Sequence, residues 1–148
     1  MRIRAGLSAV VMAGSLLAVV PPAYAGPTAV VNVKNAATGR CLQAFDDARV
    51  VRTNGCAGLR SQEWEWQRSA RPEFGMLRNN STGRCLDANG SGGVYTNVCD
   101  VNNTFQWFVR QPDTTIKHGA SGRYLDSNGG GDVYTLPANG SPNQRWNH

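Results

Sequence analysis

The chain has 148 residues, with 15 lysines and arginines against 10 aspartates and glutamates, a formal charge of +5. The basic residues are scattered rather than clustered, which argues against a nucleic-acid partner held by charge. Four cysteines, 17 glycines and no apolar run of spanning length beyond Val20 point to one small exported domain.

Arg2 and Arg4 precede an apolar run from Ala5 to Val20. Pro21 and Pro22 end that run, and Ala23-Tyr24-Ala25 has the small-x-small form of a cleavage site. The segment 1–25 is expected to be a secretory signal peptide. Its removal leaves residues 26–148, a single domain of 123 residues with a formal charge of +3. The expected location is extracellular, with no membrane insertion after cleavage.

The chain then offers only short β signals. In order they are AVVNVKN from Ala29, ARVVRTN from Ala48, GMLRNN from Gly75, GVYTNV from Gly93, WFVRQ from Trp107 and TTIKHG from Thr114. Each is β-branched or aromatic and is bounded by Gly, Asn, Asp or Pro. No segment sustains an apolar stripe of helical period.

The segments belong to a repeat. VKNAATGRCLQA from Val33 returns as LRNNSTGRCLDA from Leu77 and as IKHGASGRYLDS from Ile116, with starts 44 and 39 residues apart. SQEW, TFQW and NQRW close the copies at Trp64, Trp107 and Trp146, which stand 22, 21 and 21 residues after the repeated leucine. The segments RVVRTNGC, GGVYTNVC and GDVYTLPA end eight residues before each tryptophan. A threefold repeat of about 40 residues follows, covering roughly 30–70, 71–112 and 113–148. Each copy has room for about four strands, so the protein reads as all-β with about twelve short strands. Trp64, Trp107 and Trp146 are expected in a shared interior.

Three units that open on Gly-Arg-Cys-Leu-Asp and close on Gln-x-Trp resemble the ricin-type β-trefoil family of lectin and carbohydrate-binding domains. The resemblance runs from about Val30 to His148 and implies a β-trefoil fold with pseudo-threefold symmetry.

The four cysteines allow three pairings, of which only Cys41–Cys56 with Cys85–Cys99 respects the repeat. In the third copy the same places hold Tyr124 and Ala138, so both members of a pair are replaced together. A bulky Tyr facing a small Ala is expected to fill the space of the missing bridge.

A sugar ring asks for a carboxylate that accepts from neighbouring hydroxyls, an amide that both donates and accepts, and an aromatic face. The resemblance implies the Asp after Cys-Leu, an aromatic before the second cysteine place, and an Asn-Gln pair at the closing motif. The third copy supplies Asp126, Tyr134, Asn143 and Gln144. The second supplies Asp87 and Tyr95, with Thr104 and Phe105 aligned against Asn-Gln; Gln106 then falls one residue late and is expected to face away, leaving Asn103 as a substitute. The first has Gln43, Arg52 and Ser61-Gln62 and is expected to be inactive, with Asp46 and Asp47 nearby. The family's aromatic falls at Asn54, Asn97 and Leu136, and the tyrosines lie two residues earlier, on the same strand face. Arg40, Arg84 and Arg123 are expected in solvent.

Catalysis needs a nucleophile or base held by a partner. His118 occupies the Asn place of the repeat and is expected in a turn; His148 is the other histidine. Asp87 and Asp126 sit in different copies, too far apart to act as a glycosidase pair. The expected function is therefore a secreted, non-catalytic lectin without cofactor or metal. It binds galactose-type or xylose-type sugars or polysaccharide, chiefly through the third repeat. The competing reading is a secreted trefoil with decayed sugar sites that binds a protein as inhibitor or effector.

Overall fold

A computed structural model describes residues 29–45 and 49–148. The expected signal segment and Asp46 and Asp47 lie outside them. The strands are β1 (Val30–Asn32), β2 (Lys34–Asn35), β3 (Cys41–Ala44), β4 (Val51–Asn54), β5 (Glu63–Arg68), β6 (Gly75–Asn79) and β7 (Cys85–Ala88). After these come β8 (Val94–Asn97), β9 (Phe108–Arg110), β10 (Ile116–His118), β11 (Tyr124–Ser127), β12 (Val133–Leu136) and β13 (Trp146–Asn147). Three 3-10 turns, Arg60–Gln62, Thr104–Gln106 and Pro142–Gln144, precede β5, β9 and β13. The count exceeds twelve because the first opening strand is interrupted at Val33, which is fully buried and accepts a bond from the Leu42 N–H.

Each copy is built alike. Its opening strand buries an aliphatic residue (Val33, Leu77 or Ile116) and turns through Gly39, Gly83 or Gly122. All three glycines hold φ 68°, a left-handed conformation that side-chain-bearing residues avoid. The next strand buries the repeated leucine, Leu42, Leu86 or Leu125. Each closing strand then pairs antiparallel with the opening strand of the following copy. Trp64 stands opposite Asn79, Phe108 opposite His118, and Trp146 opposite Asn35. The third copy thus returns to the first through β13 and β2, and the strands fall into a nine-stranded and a four-stranded sheet joined at the hairpins by isolated bridges.

These pairings correct the closing register of the second copy. Phe108 is fully buried in the core, where Trp64 and Trp146 stand in the other copies. Trp107 is half-exposed, with its indole N–H on the Val101 carbonyl at 3.0 Å and its ring stacked on Phe74 at 5.5 Å. The true motif is Gln106-Trp107-Phe108, with phenylalanine in the tryptophan's slot. Trp64 and Trp146 also donate their indole N–H to the Leu42 and Leu125 carbonyls at 2.9 and 3.0 Å, which a phenyl ring cannot do.

The hairpins β3–β4, β7–β8 and β11–β12 meet at one end of the barrel. The N–H groups of Thr53, Thr96 and Thr135 bond the carbonyls of Gly131, Arg49 and Gly92, each in another copy and each at 2.9 Å. Gly92 and Gly131 sit at φ 104° and 90°, and an added Cβ would come within 2.7 Å of the Thr135 and Thr53 oxygens. Arg49 fills the equivalent place at φ 55°, so the first copy carries a non-glycine residue in left-handed backbone.

Both disulfides form as the repeat demands, Cys41–Cys56 and Cys85–Cys99. Each closes a loop of about 15 residues, a constraint of ~3 kcal/mol in the chain-entropy account. In the third copy Ala138 is exposed, while Tyr124 is half-buried with the Lys117 ammonium 6.0 Å from its ring centre.

Two more expectations need correction. His118 is not a loose turn residue but fully buried, because its partners are internal. Its Nε2–H donates to the Phe105 carbonyl at 3.0 Å, and its Nδ1 accepts from the Ser121 hydroxyl at 2.7 Å. Asn35 and Asn79 do the same work from their amides, on the Asn143 and Ser61 carbonyls at 2.7 and 2.9 Å. Arg123 is likewise not simply solvated: it grips the Thr135 carbonyl at 2.8 and 3.1 Å, and Arg40 reaches Gly129 in the third copy at 3.0 Å.

Candidate functional site

The hairpins that follow the repeated leucine place the candidate groups. Antiparallel pairing sets Asp87 directly opposite Tyr95 and Asp126 directly opposite Tyr134; in the first copy the pair is Gln43 and Arg52. Directly opposed residues share a face of the hairpin, with Cβ atoms ~5 Å apart. Each acceptor is thereby fixed beside a phenol in the second and third copies and beside a guanidinium in the first.

The closing glutamine locks each set. In the second copy the Gln106 amide donates to Asp87 at 3.1 Å and to the Val98 carbonyl at 2.8 Å, and accepts from the Asp100 N–H at 2.9 Å. In the first copy Gln62 donates to Gln43 at 3.1 Å and to Gly55 at 2.8 Å, and accepts from Ala57 at 2.8 Å. In the third, Gln144 donates to Pro137 at 3.0 Å, accepts from Asn139 at 3.2 Å, and hydrogen-bonds the Asp126 carboxylate. All three glutamines are buried with their donors and acceptors matched, as burial of an amide requires.

Gln106 therefore faces Asp87, contrary to the expectation that it points away. The reason is an additional residue between Cys99 and Gln106, absorbed in the loop 100–103, which moves the motif one place later. Asn103 does act on the site: its Nδ2 donates to Asp87 at 3.3 Å, while its Oδ1 caps the 3-10 turn through the Phe105 N–H at 3.0 Å. Asn139 acts on Asp126 in the same way, and Asn54 donates to Gln43 at 3.2 Å. Asn54 ends β4 while Asn103 and Asn139 lie in loops, three different places of the repeat, so no repeat spacing announces Asn54 or Asn139.

Asn143 is placed differently. Its Nδ2 donates to the Ser127 carbonyl at 2.6 Å and its Oδ1 accepts from Ser141 at 3.0 Å, so it braces the 3-10 turn against β11. The matching residues are Ser61 and Phe105.

Both carboxylates are only 2% exposed. Burial pushes the Asp126 carboxyl up from its ordinary range, and bonds from Gln144, Asn139, the Ser127 backbone and Tyr134 oppose that rise. Burial also raises the Tyr134 and Tyr95 phenols, reinforced by the negative charge of, and a hydrogen bond to, Asp126 and Asp87 respectively. Each phenol thus stays protonated and donates to its carboxylate. Its oxygen, polarised by that bond, is left as an acceptor at the surface of the site. Among the described residues no group of three or more His, Cys, Asp or Glu converges as metal ligands would.

A family model described as a ricin-type beta-trefoil lectin domain matches residues 29–146. A comparison with curated protein sequences gives no match. Among solved structures, a designed 3-fold symmetric protein, ThreeFoil, superposes with TM-score 0.68 at 19% identity, over 79% of this chain and 95% of that one. SeviL, bound to asialo-GM1 saccharide, gives TM-score 0.68 at 17% identity, over 80% and 94%. The cytolethal distending toxin of Haemophilus ducreyi gives 0.70 at 20% identity, over 79% and 80%. At these identities the structural likeness speaks for the fold.

Proposed function

The chain belongs to the ricin-type β-trefoil lectin family, and on that premise we propose that it is a secreted protein that binds galactose-type or xylose-type sugars through its second and third repeats. Family membership supports carbohydrate binding in general. The observation that carries the finer reading is the same constellation built twice: a buried Asp, a Tyr opposite it, a locking Gln and a loop Asn, as Asp126/Tyr134/Gln144/Asn139 and Asp87/Tyr95/Gln106/Asn103. Once the register is corrected, the second repeat holds as full a set as the third. The first, with Gln43 and Arg52, lacks the carboxylate and the phenol.

The chemistry follows from burial. A sugar hydroxyl meets the phenol oxygen and the amide edge first, while the carboxylate behind them fixes their direction and strengthens them as partners. Single sites of this open kind bind in the millimolar range, ~−4 kcal/mol. Two sites on one chain gain through simultaneous engagement of a branched or repetitive glycan.

The test is a glycan and polysaccharide array probed with the disulfide-bonded protein and with Tyr95→Phe, Tyr134→Phe and the double variant. These remove one hydroxyl each and leave the packing. Binding that falls with each single change and vanishes in the double variant is the expected result. The near-complete burial of both carboxylates favours a second reading, in which the networks persist as scaffold and the trefoil binds a protein. A folded protein silent on every glycan would select that reading.

A further inference from the structure

The second repeat carries an aromatic residue where the other two carry Ser61 and Asn143. Phe105 is 45% exposed. Its backbone is fixed on both sides, with its N–H on Asn103 Oδ1 at 3.0 Å and its carbonyl on His118 Nε2 at 3.0 Å. Asn103, which caps the 3-10 turn, and Gln106, which ends it, both donate to Asp87. The ring lies 6.3 Å from the His118 imidazole, and it stands in the chain between the two residues whose side chains hold Asp87. Val98 and Val101, 71% and 48% exposed, lie on the stretch of chain that leads to Asn103.

The nearby Trp107–Phe74 stack has an internal role. A Cβ on Gly119 would meet both side chains at 3.1 Å, so that stack is packed against the next repeat. Phe105 has no such cover. The resemblance calls for an aromatic at Asn97, which is amide instead. A pyranose needs an apolar surface beneath its C–H face as well as partners for its hydroxyls.

Building on the carbohydrate reading above, we propose that Phe105 is the apolar platform of the second-repeat site. Its ring stacks on a pyranose whose hydroxyls bond the Asn103–Asp87–Tyr95 set, which makes the second repeat the tighter of the two sites. The third repeat, with Asn143 tied to Ser127, has no ring at this place.

Residue-resolved 1H–15N NMR titration of the disulfide-bonded protein with methyl β-galactoside and with xylotriose reads the two sites separately. The amides of Asn103 and Gln106 report the second repeat, and those of Ser141 and Gln144 the third. The expected result is tighter binding at the second repeat, weakened about tenfold by Phe105→Ala and preserved by Phe105→Trp, with the third repeat unchanged. Phe105→Ala keeps the backbone bond to His118, so the fold survives; an unchanged spectrum elsewhere verifies this. Second-repeat binding indifferent to Phe105→Ala, or shifts confined to the third repeat, would overturn the platform and leave the carbohydrate reading standing. No shifts with either sugar at high millimolar concentration would overturn both.

Discussion

Three threonines at equivalent places are expected to answer one substitution with opposite signs. Thr53, Thr96 and Thr135 are all at most 1% exposed where the hairpins meet. Thr53 Oγ1 bonds the Ser127 hydroxyl of the third copy at 2.9 Å. By the same relation between copies, Thr96 faces Ala44 and Thr135 faces Ala88, which offer only methyl groups. Their hydroxyls find no hydrogen-bond partner among the described residues. Thr→Val is nearly isosteric and keeps the β-branched shape a strand prefers. At Thr53 it removes a bond and strands the buried Ser127 hydroxyl, whose other contact, the Asn128 carbonyl, is a marginal 3.5 Å away. The cost should be about 1–3 kcal/mol. At Thr96 and Thr135 it removes an unsatisfied polar group from the core and should gain about 1 kcal/mol each. In a domain of this size that is a Tm change of roughly 3–5 °C per kcal/mol. Denaturant unfolding with the disulfides intact, followed by tryptophan fluorescence, measures all three against the parent. If Thr96→Val and Thr135→Val destabilise as much as Thr53→Val, those hydroxyls are bonded after all, to ordered water, and the reasoning fails.

Two further predictions test the corrected register and the buried histidine. Phe108→Ala should cost about 3–5 kcal/mol as a core truncation, whereas Trp107→Ala should cost about 1–2, for one surface bond and a partly exposed stack; equal losses in chemical denaturation would restore Trp107 to the core. Burial, partly offset by the bond to the Phe105 carbonyl and by Asp87, holds His118 below its ordinary range, and burial with the Arg110 charge lowers His148 to about 4. The unfolded chain therefore binds more protons below the ordinary histidine pKa of ~6.5, so stability is complete above that pH and declines from there toward about 4. Asp126, raised by burial, works weakly the other way at the acid end. His118→Asn, which restores the residue of the other two copies, should flatten the decline of Tm between pH 6.5 and 5. An unaltered profile would remove His118 from the account.

Legibility in the sequence tracked steric and covalent demand. The aliphatic, glycine, leucine and cysteine places of the repeat were visible because each meets a steric or covalent demand that few residues satisfy. Gly39, Gly83 and Gly122 hold one φ, and the leucines fill one core. The closing register misled because two insertions compensate. The first copy carries its additional residue between Cys41 and Cys56, and the second carries it after Cys99. Counting to Trp107 gave 21 residues from Leu86, the third copy's interval; counting to Phe108 gives 22, the first copy's. Tryptophan identity is the weaker constraint there. The slot needs only a large apolar ring, and the fixed element is the glutamine two residues earlier, which must satisfy the N–H that follows the second cysteine place.

That distinction bears on where binding capacity arises in such a fold. The glutamine, the opening Asn or His and the hairpin glycines hold the three copies to one backbone, so their substitution costs stability wherever it occurs. Residues that only border the finished lattice are released from that demand. Ser61, Phe105 and Asn143 occupy one place and share one backbone duty, since each carbonyl accepts from the next copy's Asn79, His118 or Asn35. Their side chains are then free to differ in kind: hydroxyl, ring and amide. The same holds for Gly55, Val98 and Pro137, whose carbonyls all receive the glutamine amide. When backbone atoms carry the symmetry, side chains at the rim can diverge with little loss of stability, and it is at these places that the three copies of this protein have become chemically distinct.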